Sequence, residues 1–469
     1  MKASKTLPYK YIKLNADTLT PIGIYENLYG TKKVLLESSI QHEEKGKYSF
    51  IGADPYLEFK GSYHYTTMLD HRKETSENRN ESVLTVFQKE FPKLNFDLPF
   101  PFFGGAVGYI GYDAIRSFED IGEVLPDAID MPDVHLMLYQ NMIVYDHSDE
   151  SVFLVATNLF HEPEHVLDER LAHLKKALIP FPTADVSTGR DVVFQPEMDK
   201  QHFMRTVEIA KDHIRSGDID QVVLSQRMQA AMQGDPFIFY RKLRKANPSP
   251  YMFYIDFDDY VVLGASPESL IETTGRDIMT NPIAGTRPRG STKADDEALG
   301  QELVTDKKEI SEHEMLVDLS QEDFDRVCEA GSVTVPNYME VETYQHVMHM
   351  VSEVRGKLAE GFTSIDALIA CLPAGTVSGS PRTRAMEIIN DLEDVKRGVY
   401  GGGIGYISFN DNLNMALAIR SLIVKDHHAY VQAGAGIVSD SDPEAEYNET
   451  LYKAKSLMAI NDYDVTYET

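Results

Sequence analysis

Apolar residues come in short runs that stop at turn-forming residues, and their rhythm changes along the chain. In the first part, VLLES (34–38), YSFIGA (48–53) and SVFLVATNLF (151–160) are β-rich runs bounded by turns. LDERLAHLKKAL (167–178) then repeats leucine at helical spacing, so short strands closed by one amphipathic helix are predicted there. In the second part, YMFYIDF (251–257), YVVLGA (260–265) and YVQAGAGIV (430–438) read as strands. HFMRTVEIAKDHIRSG (202–217) reads as a helix ending on Gly217, and PRTRAMEIINDLED (381–394) as one opening on proline. Long strands without regular strand–helix alternation predict an α+β fold with large antiparallel sheets. Two polar stretches interrupt the pattern. DHRKETSENRNES (70–82) reads as an exposed excursion, and PFPTADVSTGRD (180–191) divides the chain into regions 1–180 and 191–469.

Composition narrows the partners. The 469 residues are 42% hydrophobic and 25% charged, ordinary for a globular protein, but the formal charge is −29. That field repels nucleic acid and anionic membranes, so neither is a predicted partner. An anionic small substrate therefore needs a local basic site. No run of about 18 apolar residues occurs, so no spanning helix is predicted. The basic amino terminus lacks the apolar core of a secretory signal, and two cysteines, Cys328 and Cys371, make no disulfide framework; a reducing cytoplasm is expected.

Several constellations could carry chemistry. In KKEISEHEMLVDL, Glu309 and Glu312 lead into Leu316 and Leu319 on one helical face, and DPEAEYNETLYKAKSLM sets Glu446 and Glu449 at the same spacing. Such pairs suit a hard divalent cation such as Mg²⁺, or are acidic helix starts favoured by the helix dipole. The glycine-rich runs YGGGIGY (400–406) and QAGAGIV (432–438) mark close approach of a ligand or of neighbouring backbone. They do not match dinucleotide or phosphate-loop patterns. PAGTVSGSPRTRAM (373–386) runs into a helix start carrying Arg382 and Arg384, where an anion is favoured. Arg420 lies in an apolar run and requires a carboxylate, from ligand or protein. His346 and His349 sit among apolar neighbours, as core residues or as catalysts, and no zinc or serine- or thiol-nucleophile motif appears. NPIAGTRPRG (281–290) is a turn bearing Arg287 and Arg289, with Ala284 at its centre.

Taken in order, PIAGTRPRG, EISEHEMLVDL, HVMHMVS, AGTVSGSPRTRAM, YGGGIGY, AIRS, QAGAGIVSDSDP and EAEYNET make the chain resemble the chorismate-utilising enzymes, and within them the large subunits (component I) of anthranilate synthases. The resemblance runs from about residue 8 to the end and is densest over 200–460. It implies a sandwich of large antiparallel sheets flanked by helices, with part of a regulatory site in 1–180 and the chorismate-binding region in 191–469. It implies that Glu309, Glu312, Glu446 and Glu449 form a Mg²⁺ site, Glu312 and Glu449 being the direct ligands. His349, rather than His346, matches the catalytic histidine and would assist hydroxyl departure as general acid. Thr376 and Gly375 match a substrate-contacting loop, Tyr400 and Arg420 a grip on the pyruvyl carboxylate, and the backbone of Gly434 and Gly436 the rest of the pocket.

The resemblance also implies a nucleophile. Relatives that add water carry lysine where this chain has Gln221, and aminodeoxychorismate synthases carry lysine at the position of Ala284. Neither Gln221 nor Ala284 can replace that lysine, so ammonia is the expected nucleophile and anthranilate and pyruvate the products. The alternatives are component I of aminodeoxychorismate synthase, in the folate pathway, and an inactive regulatory relative. Ammonia would come from a separate glutamine amidotransferase subunit (component II), in a heterodimer or heterotetramer. Leu36, Glu37 and Ser38, with Pro250, Tyr251 and Met252, match the segments that bind tryptophan as feedback inhibitor. One departure stands out: SQED (320–323) replaces the xRND of many relatives, just past the Glu309/Glu312 segment.

Overall fold

The structure is a computed structural model that describes residues 7–38, 46–179, 192–344 and 347–458. The break at 180–191 and His346 lie outside the described residues.

Two twelve-stranded antiparallel sheets organise the described residues. The first runs from Tyr9–Asn15 at one edge through Val34–Glu37, Tyr251–Asp256 and Tyr260–Ser266 to His428–Ile437 and Gln221–Ala231. The second runs from Ile283–Pro288 through Val347–Lys357, Ser269–Thr274 and Gly403–Ser408 to Leu57–Gly61 and the hairpin Thr66–Asp70/Thr75–Arg79. Each sheet mixes strands from before residue 180 and after residue 191.

The continuous apolar runs follow from burial on both faces of the first sheet. Val34 and Leu36 point into the core that also holds Phe59 and Phe102, while Leu35 between them joins a second core of helix residues. Met142 and Val144 against Ile143 and Tyr145 repeat this division. The second core is closed by helices Pro21–Asn27, Glu164–Lys175 and Pro236–Ala246, whose Ile24, Leu171 and Phe237 cover the outer face. Helices Lys200–Arg215 and Arg382–Leu392 pack Phe203, Val207, Met386 and Ile389 against Val222, Leu224 and Ile437. Among the described residues, no helix is long and apolar enough to cross a membrane.

Local expectations hold with three adjustments. Helix Lys200–Arg215 stops before Gly217, whose φ of +76° suits glycine. Pro381 is the N-cap of the helix Arg382–Leu392, not its first residue. The polar stretch 70–82 contains an edge strand, Thr75–Arg79; its side chains are nearly all exposed, so no polar–apolar alternation announces it. Cys328 and Cys371 are both free thiols.

Candidate active site

Two helices aim carboxylates at a common region. In helix Lys307–Asp325, the Asp306 side chain accepts hydrogen bonds from the backbone N–H of Lys308 (3.0 Å) and Glu309 (3.4 Å). That cap fixes the start of the helix, whose first turn carries Glu309 and whose second carries Glu312. In helix Pro443–Met458, Asp442 accepts from the Ala445 N–H at 2.8 Å, and Glu446 and Glu449 follow. Burial raises the pKa of Glu312, and the neighbouring charge of Glu309 raises it further. Glu446 is raised in the same way by burial and by Glu449. The same two cations, Lys308 and Lys453, oppose both shifts, so the two acid pairs share one electrostatic environment. Lys453 lies 2.7 Å from Glu449 and donates to the Gly434 carbonyl at 3.0 Å.

Among the described residues, no three His, Cys, Asp or Glu side chains converge closely enough to hold an ion as they stand. Lys453 occupies Glu449, and Arg287 occupies Glu309 at 3.1 Å. The donor set nevertheless fits a hard divalent cation: all four groups are carboxylates, and Glu312 and Glu446 are disfavoured as anions by burial and by each neighbour's charge, a cost a dication removes.

The turn NPIAGT supplies backbone to this region. The pairing of Ile283–Pro288 with Val347–Lys357 slips between Ala284 and Thr286, and Gly285 turns with φ +71°. Its carbonyl lies 3.0 Å from His349 Nδ1. A carbonyl can only accept, so Nδ1 carries the proton and Nε2 is left as an acceptor. Burial lowers the His349 pKa, and Arg420 adds to this against the opposing effects of Gly285 and Glu342, so the imidazole is neutral near pH 7. A methyl group at Gly285 would lie 3.0 Å from the Glu309 carboxylate, so the same turn touches the acid cluster. Ala284 is buried beside it. Arg287 pairs with Glu302, Asp306 and Glu309 (3.0, 2.9 and 3.1 Å), and Arg289 grips Asp296 and the Tyr344 carbonyl. Both arginines brace the turn.

Opposite these groups lies a carboxyl that spacing did not single out. Glu268 is buried between Tyr260–Ser266 and Ser269–Thr274, and the Thr376 hydroxyl donates to it at 2.9 Å. Burial pushes its pKa up to about 7, against the hydrogen bond from Thr376 and the charge of Lys453. The available signal was the lone charged residue in the run VVLGASPESLI; for Lys453 it was the four-residue step from Glu449. Glu268 and Arg420 both act on the buried Tyr400, whose pKa burial raises to about 12.

The glycines mark close approach. A methyl group at Gly434 would sit 2.7 Å from the Tyr400 hydroxyl, and one at Gly436 would sit 2.6 Å from the Gln221 amide nitrogen. Gln221 also hydrogen-bonds Glu312. Gly375 lets the loop before Thr376 press on Leu319 of the acid-bearing helix, where a methyl group would be 2.7 Å away. Hydrogen bonds, close approaches and charge interactions thus link Gln221, Gly285, Glu309, Glu312, His349, Thr376, Tyr400, Arg420, Gly434, Gly436, Glu446 and Glu449 into one site. Arg382 and Arg384 are not part of it. Arg382 pairs with Asp323, and Arg384 with Asp218 (2.8 Å) and Glu387, so the helix start spends its positive charge on acids of the chain. Asp323, the last residue of SQED, is buried in that pair, while Glu322 is exposed.

Leu36, Glu37, Ser38, Pro250, Tyr251 and Met252 line a different cavity, of about 360 Å³. Glu37 faces Met252 across Val34–Glu37 and Tyr251–Asp256, and the Ser38 hydroxyl donates to the Pro250 carbonyl at 2.6 Å. Tyr240 and Arg244 hold Glu37 Oε2 at 2.8 and 2.9 Å, while Oε1 is buried with no hydrogen-bond partner among the described residues.

Residues 32–459 match the model of the family described as chorismate binding enzyme. The chain is 42% identical over 457 residues to "Anthranilate synthase component 1" of Lactococcus lactis subsp. lactis, covering 96% of this chain and 99% of that protein. It is 43% identical over 466 residues to the protein of the same name from Acetivibrio thermocellus, covering 95% and 94%. The crystal structure of anthranilate synthase component I from Streptococcus pneumoniae TIGR4 superposes with a TM-score of 0.81 at 40% identity, covering 95% of this chain and 99% of that one.

Proposed function

Since the chain belongs to the chorismate-binding enzymes, and within them to the anthranilate synthase component I proteins, we propose that it converts chorismate and ammonia to anthranilate, pyruvate and water. The observation that carries the mechanism is the pairing, in one site, of a carboxyl poised near pH 7 with a neutral imidazole. Glu268 suits the acid and His349 the base.

In this reading Arg420 and Tyr400 hold the enolpyruvyl carboxylate. Ammonia forms a bond to C2 of the ring, the double bonds shift, and the C4–oxygen bond breaks as Glu268 gives its proton to the leaving hydroxyl. The added nitrogen sheds one proton, which restores Glu268. His349 Nε2 then takes the C2 proton, the ring becomes aromatic as the C3–oxygen bond breaks, and the enolpyruvate released is protonated on its methylene carbon to give pyruvate. His349, read from sequence as the acid, takes the base role because its Nδ1 proton is committed to Gly285. Ala284 leaves no amine to compete with ammonia. A Mg²⁺ ion held by Glu312 and Glu449, with Glu309 and Glu446 beside them, would supply positive charge for the ring carboxylate.

Ammonia would come from a partner glutamine amidotransferase, component II, in a heterodimer or heterotetramer. The cysteines support an external source: burial raises the Cys328 thiol to about 11 and holds the Cys371 thiol well above its ordinary range, so neither is an activated nucleophile. The cavity at Glu37 and Ser38 would bind tryptophan as inhibitor, with the amino group meeting the free oxygen of Glu37 and the indole lying along Pro250, Tyr251 and Met252.

Product analysis tests this directly. The purified chain with chorismate, Mg²⁺ and an ammonium salt should yield fluorescent anthranilate, and with glutamine in place of ammonium it should yield none. Isochorismate, salicylate or aminodeoxychorismate as product, or glutamine-dependent activity without a partner, overturns the reading.

A further inference from the structure

Tyr344 packs beside His349 and belongs to neither assignment above. Its ring meets the His349 imidazole edge to face, with centroids 5.3 Å apart and planes at 68°. Its hydroxyl donates to Glu342 Oε2 at 2.9 Å, and Glu342 is the residue directly across from His349 in the pairing of Thr334–Thr343 with Val347–Lys357. Its carbonyl receives Arg289 at 2.7 Å, so the bracing of the NPIAGTRPRG turn extends to it. Three contacts therefore fix the ring that packs on the imidazole.

Burial and the neighbouring Glu342 keep the phenol protonated well above neutral pH, so it remains a hydrogen-bond donor to that carboxylate. Close-packed interiors transmit a displaced side chain to its neighbours instead of absorbing it, so removal of this ring is felt at the imidazole packed on it.

We propose that Tyr344 is a positioning residue that orients the His349 imidazole for catalysis, an inference that rests on the reaction proposed above. The geometry separates two features of the side chain. The ring supplies the packing surface for the imidazole, and the hydroxyl ties that ring to Glu342.

Tyr344→Phe and Tyr344→Ala test this, each compared with the parent in the ammonium-dependent assay, with circular dichroism and melting temperature confirming the fold. Tyr344→Ala should lower kcat by about 30-fold with KM for chorismate changed less than about threefold, and should move the imidazole limb of the kcat–pH profile by about half a unit. Tyr344→Phe, which keeps the ring, should recover kcat to within about fivefold of the parent. A Tyr344→Ala kcat within threefold of the parent, or an unmoved pH limb, overturns the positioning role. A parent that forms no anthranilate overturns the proposed reaction, and the positioning role is then judged on the imidazole titration of parent and variants followed by NMR, where an unmoved His349 in Tyr344→Ala overturns it.

Discussion

Replacing Glu268 by glutamine is the most discriminating perturbation, because burial gives this carboxyl two measurable consequences. The side chain is nearly isosteric and can still accept the Thr376 hydrogen bond, so the change removes the proton donor and little else. The pKa rises from the ordinary 4.5 to about 7. If the protonated form is the catalytic acid, about half the enzyme is competent at pH 7 and about one part in eleven at pH 8. Parent kcat, measured at constant free ammonia, should therefore fall about tenfold between pH 6 and pH 8, and the variant should lose about 10²- to 10⁴-fold with little change in KM. The second consequence concerns stability. A carboxyl whose folded pKa is raised binds more protons folded than unfolded between the two values. Its stabilising effect is complete below pH 4.5 and is lost as pH rises through 7. That interval corresponds to about 3 kcal/mol in the parent and to nothing in Glu268→Gln. The melting temperature of the variant should gain on the parent by a few degrees from pH 5 to pH 8. A variant kcat within threefold of the parent would sink the assignment of Glu268 as acid, and a gap between the melting temperatures that stays flat with pH would sink the argument for its burial.

Three further changes probe the rest of the site. Gly434→Ala places a methyl group 2.7 Å from the Tyr400 hydroxyl and 3.0 Å from the Leu224 carbonyl, so KM for chorismate should rise about tenfold and the fold lose about 1–3 kcal/mol; unchanged KM would mean that Tyr400 does not contact substrate. Mg²⁺ at about 100 times its dissociation constant should stabilise the parent by about 3 kcal/mol, and Glu312→Gln should abolish most of that gain in a melting assay; an equal gain in both would remove Glu312 from the metal set. Ser38→Phe fills the cavity beside Pro250 and should raise the tryptophan concentration for half inhibition at least about tenfold, so an unchanged inhibition curve would move the regulatory site elsewhere.

How much of this was legible in the chain depends on whether a feature is local. The strands of the first sheet announced themselves in runs such as VLLE because both faces are buried, whereas Thr75–Arg79 gave no signal because neither face is. The paired acids and His349 were legible as an ordered set of motifs. Glycines 434 and 436 were visible as close-approach positions, but the atoms that approach, the Tyr400 hydroxyl and the Gln221 amide, come from distant strands and loops. Glu268 has no helical partner, and its character comes from desolvation and from a threonine 108 residues away; spacing records neither. The turn NPIAGTRPRG shows the same limit from the other side. Its composition advertised two arginines, yet acids within the next 22 residues neutralise both. The chemistry it contributes is the Gly285 carbonyl, which sets the tautomer of His349, with the Thr286 hydroxyl 3.1 Å from the same nitrogen. That contribution needs a register slip and a positive φ at Gly285, with small residues beside it, and so the least reactive side chains of the turn are the ones its function depends on. It follows that Gly285→Ala should impair catalysis through His349 and Glu309 together, since the added carbon would press on the acid while straining the carbonyl that holds the imidazole.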